Sequence, residues 1–186
     1  MDAKIVKEIE LQKKIPIIGK EAPSEIFDTF SKLIDQKFKI VEITLRSKQA
    51  LDVAVILKEK FSTAIIGLGS ITSLNILKEA SKFDFDFYVS PGINQKILNY
   101  TIEKNLNYIP GVSTPSEIMM ALEYEKKILK YFHAEKNGGT KSLEIINEIF
   151  EDIKFIPTGG ITLENYNTYL ELPNVISVGS TKFRFN

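Results

Sequence analysis

The chain has 186 residues, 44% hydrophobic and 26% charged, the size and mixture of one globular domain able to bury a sizeable core. Its 24 Lys and Arg balance 24 Asp and Glu, which excludes a general field for nucleic acid or an anionic membrane. With no Cys and a single His, disulfides and thiolate metal sites are excluded and little is left for a histidine-based metal centre.

In chain order, the opening "MDAKIVKEIELQKK" is charged and amphipathic, so residues 1–13 read as a helical segment rather than a signal peptide. No apolar run reaches membrane-spanning length, and a cytoplasmic location is expected. Short β-branched runs then alternate with amphipathic ones. The expected strands are 14–19, 39–46, 64–69, 85–90, 107–112, 127–132, 153–158 and 174–179. Helices are expected over 24–36, with Ser24 as N-cap, and over 48–61. "TPSEIMMALEYE" (114–125) opens like a capped helix, with Pro115 early and Glu117 three residues after Thr114.

Eight strand–helix steps predict an α/β fold with a parallel sheet: a single (β/α)8 TIM barrel over 1–186, with a doubly wound sheet as the alternative. No G-x-G-x-x-G follows the first strand, which argues against a dinucleotide-binding fold. The chain stops at "STKFRFN", so the last barrel helix is expected to be lacking.

In a parallel barrel the chemistry gathers at the C-terminal ends of the strands, so polar residues there carry information. In "IVEITLR", alternation puts Val41, Ile43 and Leu45 on one face and Ile40, Glu42 and Thr44 on the other. Glu42 then points into the barrel mouth with Arg46 at the rim, where the two form either an ion pair or part of a site. In "KILKYF", Lys130 shares the inward face with Ile128 and Phe132. Lost hydration there favours the neutral, nucleophilic amine, with Arg46 as a neighbouring cation; the competing reading is a lysine that snorkels to solvent. "PTGGIT" (157–162) and "VGST" (178–181) follow the last two strands, where glycines let a phosphate approach backbone N–H groups. "GLGS" (67–70), "SPG" (90–92) and "PGVST" (110–114) are plain turns or rim elements of the same pocket.

"VEITLR", "GLGS", "SPG", "IPGVST", "LKYFHAE", "NGG" and "PTGGI", in this order, resemble the 2-keto-3-deoxy-6-phosphogluconate (KDPG) aldolases over about residues 15 to 181. These proteins, also described as 4-hydroxy-2-oxoglutarate (KHG) aldolases, are class I lyases on (β/α)8 barrels. The resemblance implies that Lys130 forms an imine with the ketoacid and that Glu42 is the acid/base carboxylate. It makes Arg46 the partner of the substrate carboxylate and places Ser70 where the family usually carries Thr. Pro91 becomes a rim element. Thr158, Gly159 and Gly160 become the loop at the substrate and its distal phosphate. Gly179 with Ser180 or Thr181 becomes the last-strand site, in a register open by one residue.

No metal or cofactor is implied, the partner is a small ketoacid or phosphorylated sugar acid, and a homo-oligomer, a trimer, is expected. Competing functions are a phosphate-binding isomerase or synthase without an imine, and a non-catalytic ketoacid-binding relative. Two departures stand out. "YFHAE" puts His133 where the family has proline, with an exposed loop histidine expected and a donor to a bound anion as the alternative. The lacking last helix is expected to bare apolar surface on the first and seventh helices for a neighbouring subunit.

Overall fold

The computed structural model describes residues 1–19, 21–47 and 49–184, along which strands and helices alternate. A helix, α1 (Ala3–Gln12), precedes β1 (Lys14–Ile18), α2 (Pro23–Asp35), β2 (Ile40–Thr44), α3 (Ala50–Lys60), β3 (Ile65–Gly69) and α4 (Leu74–Ala80). The chain continues through β4 (Phe87–Val89), α5 (Gln95–Glu103), β5 (Tyr108–Ile109), β6 (Gly111–Val112), α6 (Pro115–Glu123) and β7 (Ile128–Phe132). It closes with α7 (Gly139–Ile149), β8 (Lys154–Thr158), α8 (Tyr166–Leu170) and β9 (Val178–Ser180).

All strand pairs are parallel, in the order β5-β4-β3-β2-β1-β9-β8-β7-β6. The two ends of that order, β5 and β6, are separated in the chain only by Pro110. Proline has no N–H to give a ladder, so one stave is split into two short strands. Its carbonyl still accepts from the Lys130 N–H at 2.9 Å, which joins the stave to β7. The sheet is thus a (β/α)8 barrel of eight staves and not an open, doubly wound one. No helix follows β9 among the described residues.

Several boundaries differ from expectation for local reasons. The N-cap of α2 is Ala22, not Ser24: Pro23 starts the helix and Glu25 reaches back to accept the Ala22 N–H at 3.0 Å. Lys48, where the second helix was expected to begin, lies outside the described residues, as do the last two residues of "STKFRFN". The last strand starts at Val178 rather than 174. Val175 touches the sheet through a single bridge to Phe155, and Asn174 is buried donating to the Leu143 carbonyl at 2.8 Å. The cap of α6 is as expected, with the Glu117 carboxylate accepting from the N–H groups of Ser113 (2.8 Å) and Thr114 (2.9 Å).

The outward strand faces pack under the helices in two apolar clusters, one including Ile18, Val41, Ile43, Ile66 and Leu68, the other Leu129, Tyr131 and Phe155. The inward faces form a third cluster, including Ile15, Ile40, Ile65, Phe87, Ile109 and Ile156. Ile5 and Ile9 of α1 belong to it, so α1 plugs the N-terminal end of the barrel. Full burial of Ile9 alone contributes about 1.5–3 kcal/mol. On β2, β7 and β8 the inward column turns polar toward the C-terminal end, Ile40 giving way to Glu42, Ile128 to Lys130 and Ile156 to Thr158.

The described chain after β9 lies against the barrel flank. Phe183 is buried edge-on against Tyr166 of α8, 5.7 Å between centroids, and Arg184 donates to the Ile17 carbonyl at 3.0 Å and pairs with Glu21. Large exposed apolar side chains among the described residues include Leu11 of α1 and Ile145 and Ile149 of α7, the first and seventh helices, as well as Ile56 of α3, Ile102 of α5 and Met119 of α6.

Candidate active site

Two-residue alternation from Ile40 and from Ile128, both in the barrel interior, brings Glu42 and Lys130 inward one layer higher. The two meet there across the barrel, Lys130 Nζ lying 3.2 and 3.4 Å from the Glu42 carboxylate oxygens. They are 7% and 5% exposed, so this amine does not snorkel to solvent. The Phe132 ring, with its centroid 5.6 Å from Nζ, adds a face attractive to a cation. Glu42 has room because β3 carries Gly69 beside it: a Cβ there would overlap the carboxylate. A buried pair of this kind costs several kcal/mol of desolvation per ion, which its mutual attraction offsets only with good geometry.

Above the pair opens a cavity of about 330 Å³. Its wall contains Glu42, Arg46, Lys130, Thr158, Gly159, Gly160, Gly179, Ser180 and Thr181, nine of the eleven residues singled out from sequence. Ser70 reaches it indirectly, its hydroxyl accepting from Arg46 Nε at 2.9 Å with Ser70 itself in the left-handed region, φ 62°. The ion pair with Glu42 is made by Lys130 and not by Arg46, which is an exposed guanidinium held at the rim by Ser70. Pro91 is outside the wall, its backbone crowding Gly111 of β6. That loop is tied down by Ser90, which donates to the Gly92 carbonyl at 2.5 Å and lies 2.6 Å from the Tyr108 hydroxyl. Burial pushes the Tyr108 phenol up to about 12, so it stays protonated and donates.

The two glycine loops differ in what they leave free. Gly159 and Gly160 have φ of 97° and 80°, a conformation side chains rarely adopt. Ser180 Oγ is buried and donates to the Ile161 carbonyl at 2.5 Å, tying β9 to the loop after β8. Thr181 is exposed on the cavity wall, and no partner of its hydroxyl is found among the described residues. The register left open by the sequence thus separates into one structural hydroxyl and one free one.

Ile17 and Lys182 of the wall carry no sequence signal, Ile161 and Thr162 read only as part of "PTGGIT", and His133 reads as an anion donor or an exposed loop residue. His133 is not an exposed loop residue: it is half-buried, with Cγ 2.6 Å from where a Cβ on Gly159 would stand. The signal available was its place three residues beyond an inward lysine. Thr44, also in the wall, had been placed on the inward face by alternation; it donates to the Gly19 carbonyl at 2.9 Å. Among the described wall residues Arg46, Lys130 and Lys182 face the single carboxylate of Glu42, so the cavity is electropositive and suits an anion.

A parallel barrel with a buried amine, a carboxylate in contact with it and an electropositive mouth defines a class of protein fitted to hold an anionic carbonyl compound against a lysine. The match to the family model for KDPG and KHG aldolases spans residues 5–185, and the chain belongs to that family. It is 38% identical over 143 residues to the 2-dehydro-3-deoxy-phosphogluconate aldolase of Dickeya dadantii, covering 77% of this chain and 67% of that one. To the KHG/KDPG aldolase of Escherichia coli K12 it is 33% identical over 167 residues, covering 90% and 78%. Among solved structures, the KDPG aldolase of Legionella pneumophila, with pyruvate captured at low pH as a covalent carbinolamine, superposes with a TM-score of 0.90 at 30% identity. That match covers 95% of this chain and 85% of the other.

Proposed function

We propose that this chain is a class I aldolase that cleaves KDPG to pyruvate and glyceraldehyde 3-phosphate, or KHG to pyruvate and glyoxylate. The observation that carries the reading is the buried Lys130–Glu42 contact at 3.2 Å beneath an electropositive cavity. Glu42 takes a proton from the Lys130 ammonium, and the freed amine attacks the C2 ketone of the substrate to give a carbinolamine. Glu42 returns a proton to the departing hydroxyl, water leaves, and a protonated imine remains. The C3–C4 bond then breaks as its electrons move into the imine to form an enamine, while the Glu42 carboxylate takes the proton of the C4 hydroxyl and an aldehyde departs. Protonation at C3 and hydrolysis release pyruvate and restore the amine.

Arg46, oriented by Ser70, holds the ketoacid carboxylate at the rim and keeps the ketone beside Lys130. Thr158, Gly159 and Gly160 hold the rest of the substrate, with Gly179 and the free Thr181 hydroxyl opposite. Pro91 shapes the rim without touching substrate. The low-pH carbinolamine of the Legionella pneumophila relative supports the imine route by similarity.

The reading includes a single domain from residue 1 to 186, a cytoplasmic location and a homotrimer. Among the described residues no helix is long and apolar enough to cross a membrane. The apolar side chains exposed on α5, α6 and α7 suit a subunit interface, which sedimentation would test. The function is tested by coupling pyruvate release to lactate dehydrogenase with KDPG, its galactonate epimer and KHG. Turnover of at least one is expected; turnover of none by folded protein refutes the reading.

A further inference from the structure

His133 and Lys182 enter the cavity from opposite flanks of the glycine loops, one after β7 and one after β9. No side-chain hydrogen bond or ion pair of either is found among the described residues. His133 Nδ1 is sealed from solvent without a partner. A buried ring N–H without an acceptor is costly, so the neutral ring keeps its proton on Nε2 and offers a donor away from the sealed side. Glu135, the nearby carboxylate, packs on Gly160 and is engaged by the Tyr169 hydroxyl, and it is not part of the cavity wall. Two side chains with donors and no partner found among the described residues thus line a mouth whose one carboxylate, Glu42, is already committed to Lys130.

We propose that the His133 and Lys182 side chains form a clamp on the distal phosphate of the substrate and set the preference for phosphorylated over unphosphorylated sugar acids. The proposal rests on the aldolase reading for the substrate's position, but the anion clamp has a readout of its own. Because His133 is the only histidine, untagged protein gives one imidazole Hε1 resonance that needs no assignment. Titration with glycerol 3-phosphate is expected to shift it saturably, whereas glycerol at matched ionic strength leaves it in place. Lys182→Ala weakens that titration about threefold to tenfold, as expected for a charge-assisted contact near solvent.

In turnover, His133→Phe lowers the ratio of kcat/KM for KDPG over 2-keto-3-deoxygluconate by about tenfold, mainly through KM. A resonance that does not move, or that moves as far with glycerol, overturns the clamp. So does a specificity ratio that stays the same in His133→Phe. A resonance that responds in protein that forms no borohydride adduct with pyruvate leaves the clamp standing and removes the aldolase instead.

Discussion

Ile40 and Glu42 lie two residues apart on the same inward face of β2, as do Ile128 and Lys130 on β7, yet the two layers obey different physics. The lower layer, with the α1 plug, is apolar, and burial there stabilises the fold by removing hydrocarbon from water. The upper layer holds a buried ion pair, which contributes little net stability and is expensive to break. The difference teaches that one barrel can separate stability from chemistry by height along the strand. Substitutions at the two levels are expected to fail in different ways.

The largest effect is expected at the top. Lys130→Ala removes the proposed nucleophile and is expected to lower aldol turnover by roughly 10⁴-fold or more in the coupled assay, with far-UV circular dichroism retained. Turnover that survives this change favours a route without an imine. Glu42→Gln keeps the shape and the hydrogen-bonding capacity but not the proton transfer, so kcat falls about 10²- to 10³-fold.

Adjacent inward glycines of β3 give the sharpest contrast. A Cβ at Gly69 overlaps the Glu42 carboxylate, while one at Gly67 overlaps the Phe87 ring in the lower layer. Gly69→Ala is expected to cut kcat about 10- to 100-fold by displacing Glu42, at a modest cost in stability. Gly67→Ala is expected to cost about 1–3 kcal/mol in chemical denaturation through overpacking, while kcat of the folded fraction falls less than about threefold. The reverse pattern breaks the division by height. Ile9→Ala in the plug has the smallest effect on rate: it lowers stability by about 2–5 kcal/mol while leaving kcat within about twofold.

Much of this layering was legible in the sequence, because alternation on β2 and β7 assigns each side chain to a face without knowledge of its neighbours. Which inward residues meet was not legible. Glu42 and Lys130 are 88 positions apart, and their contact depends on how far the strands are staggered around the barrel. Hence the sequence left open whether Arg46, close to Glu42 along the chain, pairs with it, whereas the structure turns the guanidinium to Ser70. The run 174–179 misled in another way: its apolar residues are buried, but mostly as core ahead of the short β9. The placement of His133 and the different partners of Ser180 and Thr181 follow from how the loops after β7, β8 and β9 fold over one another, which no single segment encodes.

The central claim is that Lys130 captures ketoacids covalently. Incubation with pyruvate and sodium borohydride, followed by peptide mass mapping, tests it most directly. One reduced pyruvate adduct on Lys130, absent without pyruvate, is the predicted result. Folded protein that carries no adduct, or carries it on another lysine, contradicts the claim.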